Sequence, residues 1–188
     1  ATFSGAIGAG SQLRNLTVTQ SGGTTFDGAV TSTGGTVLLT DTTGAIEFDG
    51  ALVAPTLTTA VQDYALNLDG GSTITNAVNL TNTGAVRIGD DAGDVNTFTG
   101  GLTATAATPP STITQNGDLL SGGNISLDAT TSIDFDGTVG SAAAIGGNLT
   151  IGTTTQTATV DLAGTVSVNG SVSITGANLT LGGNVTAD

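Results

Sequence analysis

The chain contains no cysteine, histidine, lysine, methionine or tryptophan, and in 188 residues only two arginines stand against fifteen acids, for a formal net charge of −13. Each absence removes a class of function. Without His or Cys there is no His- or Cys-based catalysis and no ligand set for a structural zinc. Two Arg cannot neutralise a run of phosphates, so nucleic acid is excluded as a partner. A single Glu and no Lys withdraw two of the strong helix formers, while Gly (30) and Thr (38) are in excess, which argues against a helical domain. No apolar run reaches 18 residues, so the sequence predicts no membrane insertion. The absence of disulfides fits an extracellular bacterial protein that does not rely on them, and fits a cytosolic one equally. Ala1 is followed by neither a basic nor an apolar leader segment, so the chain reads as a processed product or an excised piece.

What is present is periodic. Leu16-Thr17-Val18-Thr19, Ile46-Glu47-Phe48-Asp49, Leu66-Asn67-Leu68-Asp69, Val86-Arg87-Ile88, Ile125-Ser126-Leu127, Ile133-Asp134-Phe135-Asp136 and Leu149-Thr150-Ile151 alternate apolar with polar, the signature of short half-buried strands. Gly pairs punctuate them, at Gly22-Gly23, Gly34-Gly35, Gly70-Gly71, Gly100-Gly101, Gly122-Gly123, Gly146-Gly147 and Gly182-Gly183. From Gly164 onward a Gly-led unit of six residues repeats at Gly164, Gly170, Gly176 and Gly182. Strands that short cannot build hairpins, but they can pair with their equivalents one coil above and below in a solenoid.

A longer repeat, x-Phe-x-Gly, is centred on Phe3, Phe26, Phe48, Phe98 and Phe135, with Leu68 and Leu162 as leucine variants. These are the predicted core anchors. Their early spacing predicts coils of about 20–23 residues, each with three strands and three turns, and about nine coils in a rod ~40 Å long. The wider later intervals call for loop insertions or a coil without Phe. The segment 104–117, with Pro109-Pro110, is read as a protruding loop, because Pro cannot donate to a ladder. The pattern from Phe3 through Asn15-Leu16-Thr17-Val18 recurs from Phe135 through Asn148-Leu149-Thr150-Ile151. Residues 1–188 are therefore expected to form a single β-solenoid segment, part of a longer array or a fibre subunit.

The combination of x-Phe-x-Gly-x-[Val/Ile], Asn-Leu-Thr-[Val/Ile/Leu] and Gly-Gly-Asn-[Ile/Leu/Val]-[Ser/Thr] resembles the β-strand repeats of large bacterial exoproteins, the filamentous-haemagglutinin-like and autotransporter-passenger-like adhesins. The resemblance covers essentially the whole chain. It implies a right-handed parallel β-helix, export to the cell surface or beyond, and a role as stalk, adhesin or matrix fibre.

Three groups of residues are candidates for binding. Glu47/Asp49 and Asp134/Asp136 flank an inward Phe, so both carboxylates of each pair are expected to point outward. Asp90, Asp91 and Asp94 crowd a Gly-bounded turn. All seven are oxygen donors of the kind Ca²⁺ takes, and the alternative is a solvated acidic surface. Thr-x-Thr recurs at Thr17/Thr19, Thr31/Thr33, Thr73/Thr75, Thr81/Thr83, Thr97/Thr99, Thr103/Thr105, Thr112/Thr114 and from Thr153 to Thr159. Ranks of Thr on one flat face would suit ice, but the spacing along the chain is erratic. Asn-x-Ser/Thr at Asn15, Asn79, Asn124, Asn148, Asn169, Asn178 and Asn184 reads as corner Asn rather than glycosylation sites.

The leading expectation is a non-enzymatic, extracellular structural protein whose partner is itself, stacked head to tail, or neighbouring repeats of the same chain. Neither Ala1–Ser11 nor Gly176–Asp188 carries a visible cap, so both ends are expected to expose strand edges. Two rivals stand on the same fold. One is a module that grips or cleaves surface glycans as polysaccharide lyases do, which would use Arg87 beside the acidic turn. The other is an ice-binding solenoid.

Overall fold

A computed structural model describes residues 1–11, 13–40, 43–140, 143–152 and 158–188. Among these residues there is no helix, and the chain winds as a parallel β-solenoid of eight complete coils and two strands of a ninth. Its first sheet stacks nine strands: Thr2–Phe3, Thr24–Phe26, Ala45–Phe48, Ala65–Leu68, Val86–Ile88, Thr112–Gln115, Ser132–Phe135, Thr159–Leu162 and Asn178–Leu181. The second stacks eight: Val30–Thr31, Leu52–Ala54, Ser72–Ile74, Val95–Phe98, Asp118–Ser121, Thr138–Val139, Val166–Val168 and Val185–Ala187. The third face is built from Leu16–Thr19, Thr36–Thr40 and Thr56–Thr59, followed by Val78–Asn79, Leu102–Ala104, Ile125–Leu127, Leu149–Ile151 and Val172–Ile174. Its two parts are joined by side chains: Thr81 N donates to Thr59 Oγ1 (2.7 Å) and Thr81 Oγ1 donates to Thr59 O (2.7 Å).

The physical logic is the one the alternation announced. Each strand of three or four residues in the interior coils buries every second side chain and leaves the others outside. No strand could bury its apolar set alone. Stacking in register converts nine short strands into continuous columns, and stability is accumulated neighbour by neighbour. The anchor column on the first sheet runs Phe3, Phe26, Phe48, Leu68, Ile88, Gln115, Phe135, Leu162, Leu181. Phe26, Phe48, Leu68, Phe135 and Leu162 are at most 1% exposed, whereas Phe3, in the end coil, is 45% exposed. The rings of Phe3, Phe26 and Phe48 stack with centroids 5.2 and 4.8 Å apart. The six-residue units at the C-terminal end are successive faces of the last coils, at Val166–Val168, Val172–Ile174, Asn178–Leu181 and Val185–Ala187.

Two expectations are corrected. Phe98 is buried, but it belongs to the second sheet, between Ile74 and Ser121, and not to the anchor column. An inward residue followed by an outward one and a Gly marks any strand end that meets a tight corner, and more than one corner per coil has that form. The anchor positions between Leu68 and Phe135 are instead Ile88 and Gln115, a stretch without Phe. The span 104–117 is not all loop either. Ala104 ends a third-face strand, Thr112–Gln115 is a first-sheet strand, and Pro110 is a buried corner residue whose carbonyl accepts from Thr130 N (3.0 Å).

Corners stack as closely as strands. A Cβ added to Gly35 would lie 1.5 Å from the Arg14 carbonyl oxygen in the coil below, so only Gly permits that approach. Corner Asn residues tie successive coils together: Asn15 Oδ1 accepts from Thr36 N (3.0 Å), Asn124 Oδ1 from Asn148 N (2.8 Å), and Asn148 Oδ1 from Ser171 N (2.9 Å). The repeat beginning at Phe3 and Phe135 also has a structural counterpart. Both coils turn from second sheet to third through a Gly of positive φ, Gly8 (84°) and Gly140 (77°), and then a short bridge, Leu13 to Ser32 and Ile145 to Val168.

Candidate functional site

Charge is distributed unequally around the rod. The first-sheet strands carry Glu47, Arg87, Asp134 and Asp161, the second-sheet strands carry Asp118, and the third-face strands carry no charged residue. Asp27, Asp49 and Asp69 follow Phe26, Phe48 and Leu68, which are in register, so three carboxyl-bearing residues occupy one corner in consecutive coils, ~4.8 Å apart along the axis. Glu47 lies one position inside that corner, where its carboxylate accepts from Thr25 Oγ1 (3.2 Å) and Asn67 Nδ2 (3.0 Å). Arg87, on the next strand, grips the buried Asp69 with both ends of its guanidinium, Nε to Oδ1 at 2.7 Å and Nη2 to Oδ2. That pair holds the guanidinium firmly protonated.

The remaining acids of this corner repel one another. Partial burial, then Glu47, Asp69, Asp27 and Asp90, push the Asp49 carboxyl above its ordinary value. Partial burial, Asp69 and Asp94 do the same to Asp90, against the opposing pull of Arg87. In the turn between Ile88 and Val95, Asp94 Oδ2 accepts from Asp90 N (3.0 Å) and Asp91 N (2.9 Å), and Asp91 Oδ1 accepts from Gly93 N (3.3 Å). These carboxylates close the turn by satisfying its backbone donors. A second acidic group lies two coils further on. Asp134 and Asp161 are register partners, and burial together with Asp136 and Asp161 raises the Asp134 carboxyl. Glu47 and Asp134 are thus outward members of strands, while Asp49 and Asp136 are exposed corner residues beyond them. Among the described residues, no group of three or more His, Cys, Asp or Glu side chains is arranged to hold a metal ion.

The third face has the opposite character. Its central outward column runs Thr17, Leu38, Thr58 in one part and Asn79, Thr103, Ser126, Thr150, Ser173 in the other. Thr-x-Thr pairs scattered in sequence, Thr17/Thr19 and Thr103/Thr105, come to lie on this one surface because coils of 19 to 27 residues realign at every turn. Thr73/Thr75 and Thr97/Thr99 lie on or beside the second sheet, and Thr112/Thr114 on the first. The pairs within 153–157 lie outside the described residues.

Both end coils show apolar positions that an interior coil would cover. At one end Phe3 is 45% exposed beside a hollow of about 200 Å³ walled by Phe3, Leu16, Val18 and Phe26; at the other, Leu179 is 48%, Leu181 51% and Val185 39% exposed. A groove of about 250 Å³ runs between Val53, Gly70, Gly71 and the Gly93-Asp94-Val95 side of the acidic turn.

Several of these features were invisible to a linear reading. The Arg87–Asp69 pair joins residues 18 apart on adjacent coils and requires the register. Tyr64, fully buried at a corner, donates from Oη to Leu39 O (3.2 Å), and burial pushes its phenol up to about 12. Compared with family models, curated proteins and solved structures, the chain matches none of them.

Proposed function

We propose that the chain is an extracellular structural rod, a segment of a bacterial surface stalk, adhesin or matrix fibre, whose working partner is a further solenoid coil from a second copy or from adjoining repeats. The observation that carries this reading is the coil repeat itself, in which each interior coil is covered on both sides by another. Phe3 at one end and Leu179, Leu181 and Val185 at the other occupy positions whose counterparts in interior coils are buried. A surface that accepts a coil at one end and offers one at the other is heterologous, and repeated use of it gives filaments and not closed oligomers. Net charge of −13, carried mainly by the first sheet and corners, opposes side-by-side clumping and leaves the axial contact free. Light scattering across a concentration series tests this. The native chain is expected to grow in mass with concentration, and Leu181→Asp, which places a charge on the open end, is expected to stay monomeric. If residues 1–188 stay monomeric throughout, axial contact between copies is refuted.

Ca²⁺ enters this reading as a counter-ion for the carboxylates at Asp27, Asp49 and Asp90 and at Asp134, Asp136 and Asp161. Melting in millimolar Ca²⁺ and in chelator at matched ionic strength is the check, with a higher Tm expected in Ca²⁺.

A second reading, ice binding, is favoured by one observation: the hydroxyl-rich third face without charge. Growth of single ice crystals in the presence of the chain tests it, with faceting as the supporting result and unshaped growth as the opposing one.

A further inference from the structure

The inner columns of a solenoid are expected to be apolar throughout, and one of them carries two buried polar residues in succession. On the second sheet it runs Val30, Leu52, Ser72, Asn96, Leu119, Val139, Val166, Val185. Ser72 is 2% exposed and Asn96 is fully buried, and they are direct register partners in the fourth and fifth coils. Ser72 Oγ, Asn96 Oδ1 and Asn96 Nδ2 have no hydrogen-bond partner among the protein atoms. Phe98 fixes the strand phase that causes this. With Phe98 inside, Val95-Asn96-Thr97-Phe98 must turn Asn96 inward and Val95 outward, where Val95 is 46% exposed.

Buried amides and hydroxyls without partners are rare in native proteins, and ordered water is the usual remedy. A water needs two to four polar partners and roughly 30 Å³ of liquid volume. Here three unpartnered polar atoms belong to register partners on adjacent coils, and Ser72 is short where the column, Asn96 apart, carries Val or Leu. We propose that Ser72 and Asn96 form an internal hydration site, holding one or more ordered waters in the core of the fourth and fifth coils. A divalent cation does not suit the pair, which offers two neutral side-chain oxygens where Ca²⁺ takes about six to eight. The groove bounded by Ser72, Thr73, Gly93 and Val95 lies against the outer side of the same strands.

Water-selective NOE spectroscopy on the nitrogen-15-labelled chain tests the assignment. The native chain is expected to show cross-peaks from long-lived water to the Asn96 side-chain amide protons, and Ser72→Val with Asn96→Leu is expected to lose the water signal from neighbouring backbone amides. Absence of those cross-peaks in the native chain overturns the proposal, as does a high-resolution density map in which the Asn96 amide is bonded to protein atoms alone. If the double variant fails to fold, the native spectrum decides by itself.

Discussion

Replacing Phe48 by Ala tests the packing account where it is most exposed to failure. Phe48 has no accessible surface, sits between Phe26 and Leu68 in the anchor column, and stacks on Phe26 with centroids 4.8 Å apart and planes 13° from parallel. Truncating a fully buried Phe costs ~3–5 kcal/mol from lost transfer energy and the cavity left behind. Within that range the upper half is expected here, because the stacked ring pair adds about 0.5–1.5 kcal/mol beyond its buried area. Relaxation is limited as well, since the backbone on both sides is pinned by ladders to neighbouring coils. Phe3 is the internal control. Like Phe48 it stacks on one ring, Phe26, but it is 45% exposed, so Phe3→Ala is expected to cost only about 1–2 kcal/mol. Urea titration followed by far-ultraviolet circular dichroism measures both, with slopes compared to confirm that the same unit unfolds. Equal losses for Phe3→Ala and Phe48→Ala, or a loss below about 1 kcal/mol for Phe48→Ala, would refute the reasoning, since neither is compatible with burial graded by position in the stack.

Arg87→Ala leaves the buried Asp69 without its cation and is expected to cost about 2–3 kcal/mol, with much of the loss recovered in Arg87→Ala/Asp69→Asn; thermal melts of the three variants decide. The carboxyls of Asp49, Asp90 and Asp134 lie above their ordinary value of 3.8 in the folded chain, so the native state binds protons more tightly than the unfolded one. The destabilisation they contribute is present at neutral pH and is relieved as pH falls through their raised values towards 3.8, so Tm is expected to rise on mild acidification, and less steeply in Asp49→Asn/Asp134→Asn. Adjacent glycines should behave differently. Gly34, where an added methyl group would meet nothing within 4 Å, tolerates Ala within about 0.5 kcal/mol, whereas Gly35→Ala forces two coils apart and is expected to lower Tm by several degrees in a calorimetric scan.

Much of the fold was legible because its determinants are local. Ile46-Glu47-Phe48 states which side chains face in, and the Gly pairs state where the chain turns. The corner role of Asn15, Asn124 and Asn148 follows from their place before a strand. What could not be read was anything that depends on how coils of unequal length align. Phe98 carries the same local motif as Phe48, and only the ladder shows that one closes a second-sheet strand and the other a first-sheet strand. The hydroxyl-rich third face was hidden for the same reason, since the spacing along the chain is irregular while the spacing along the axis is constant. Asp69 and Arg87 were each visible as charges, but their pairing needed the register. Asn96 is a different case: Phe98 two residues on fixes its inward orientation, and the alternation alone was sufficient to find it.

The central claim is that the end coils are surfaces for further coils. Cryo-electron microscopy of the concentrated chain tests it directly. The account predicts filaments one solenoid wide, with the ~4.8 Å strand repeat continuing unbroken across each junction between copies. Isolated rods at every concentration, or bundles joined along their sides, would contradict it.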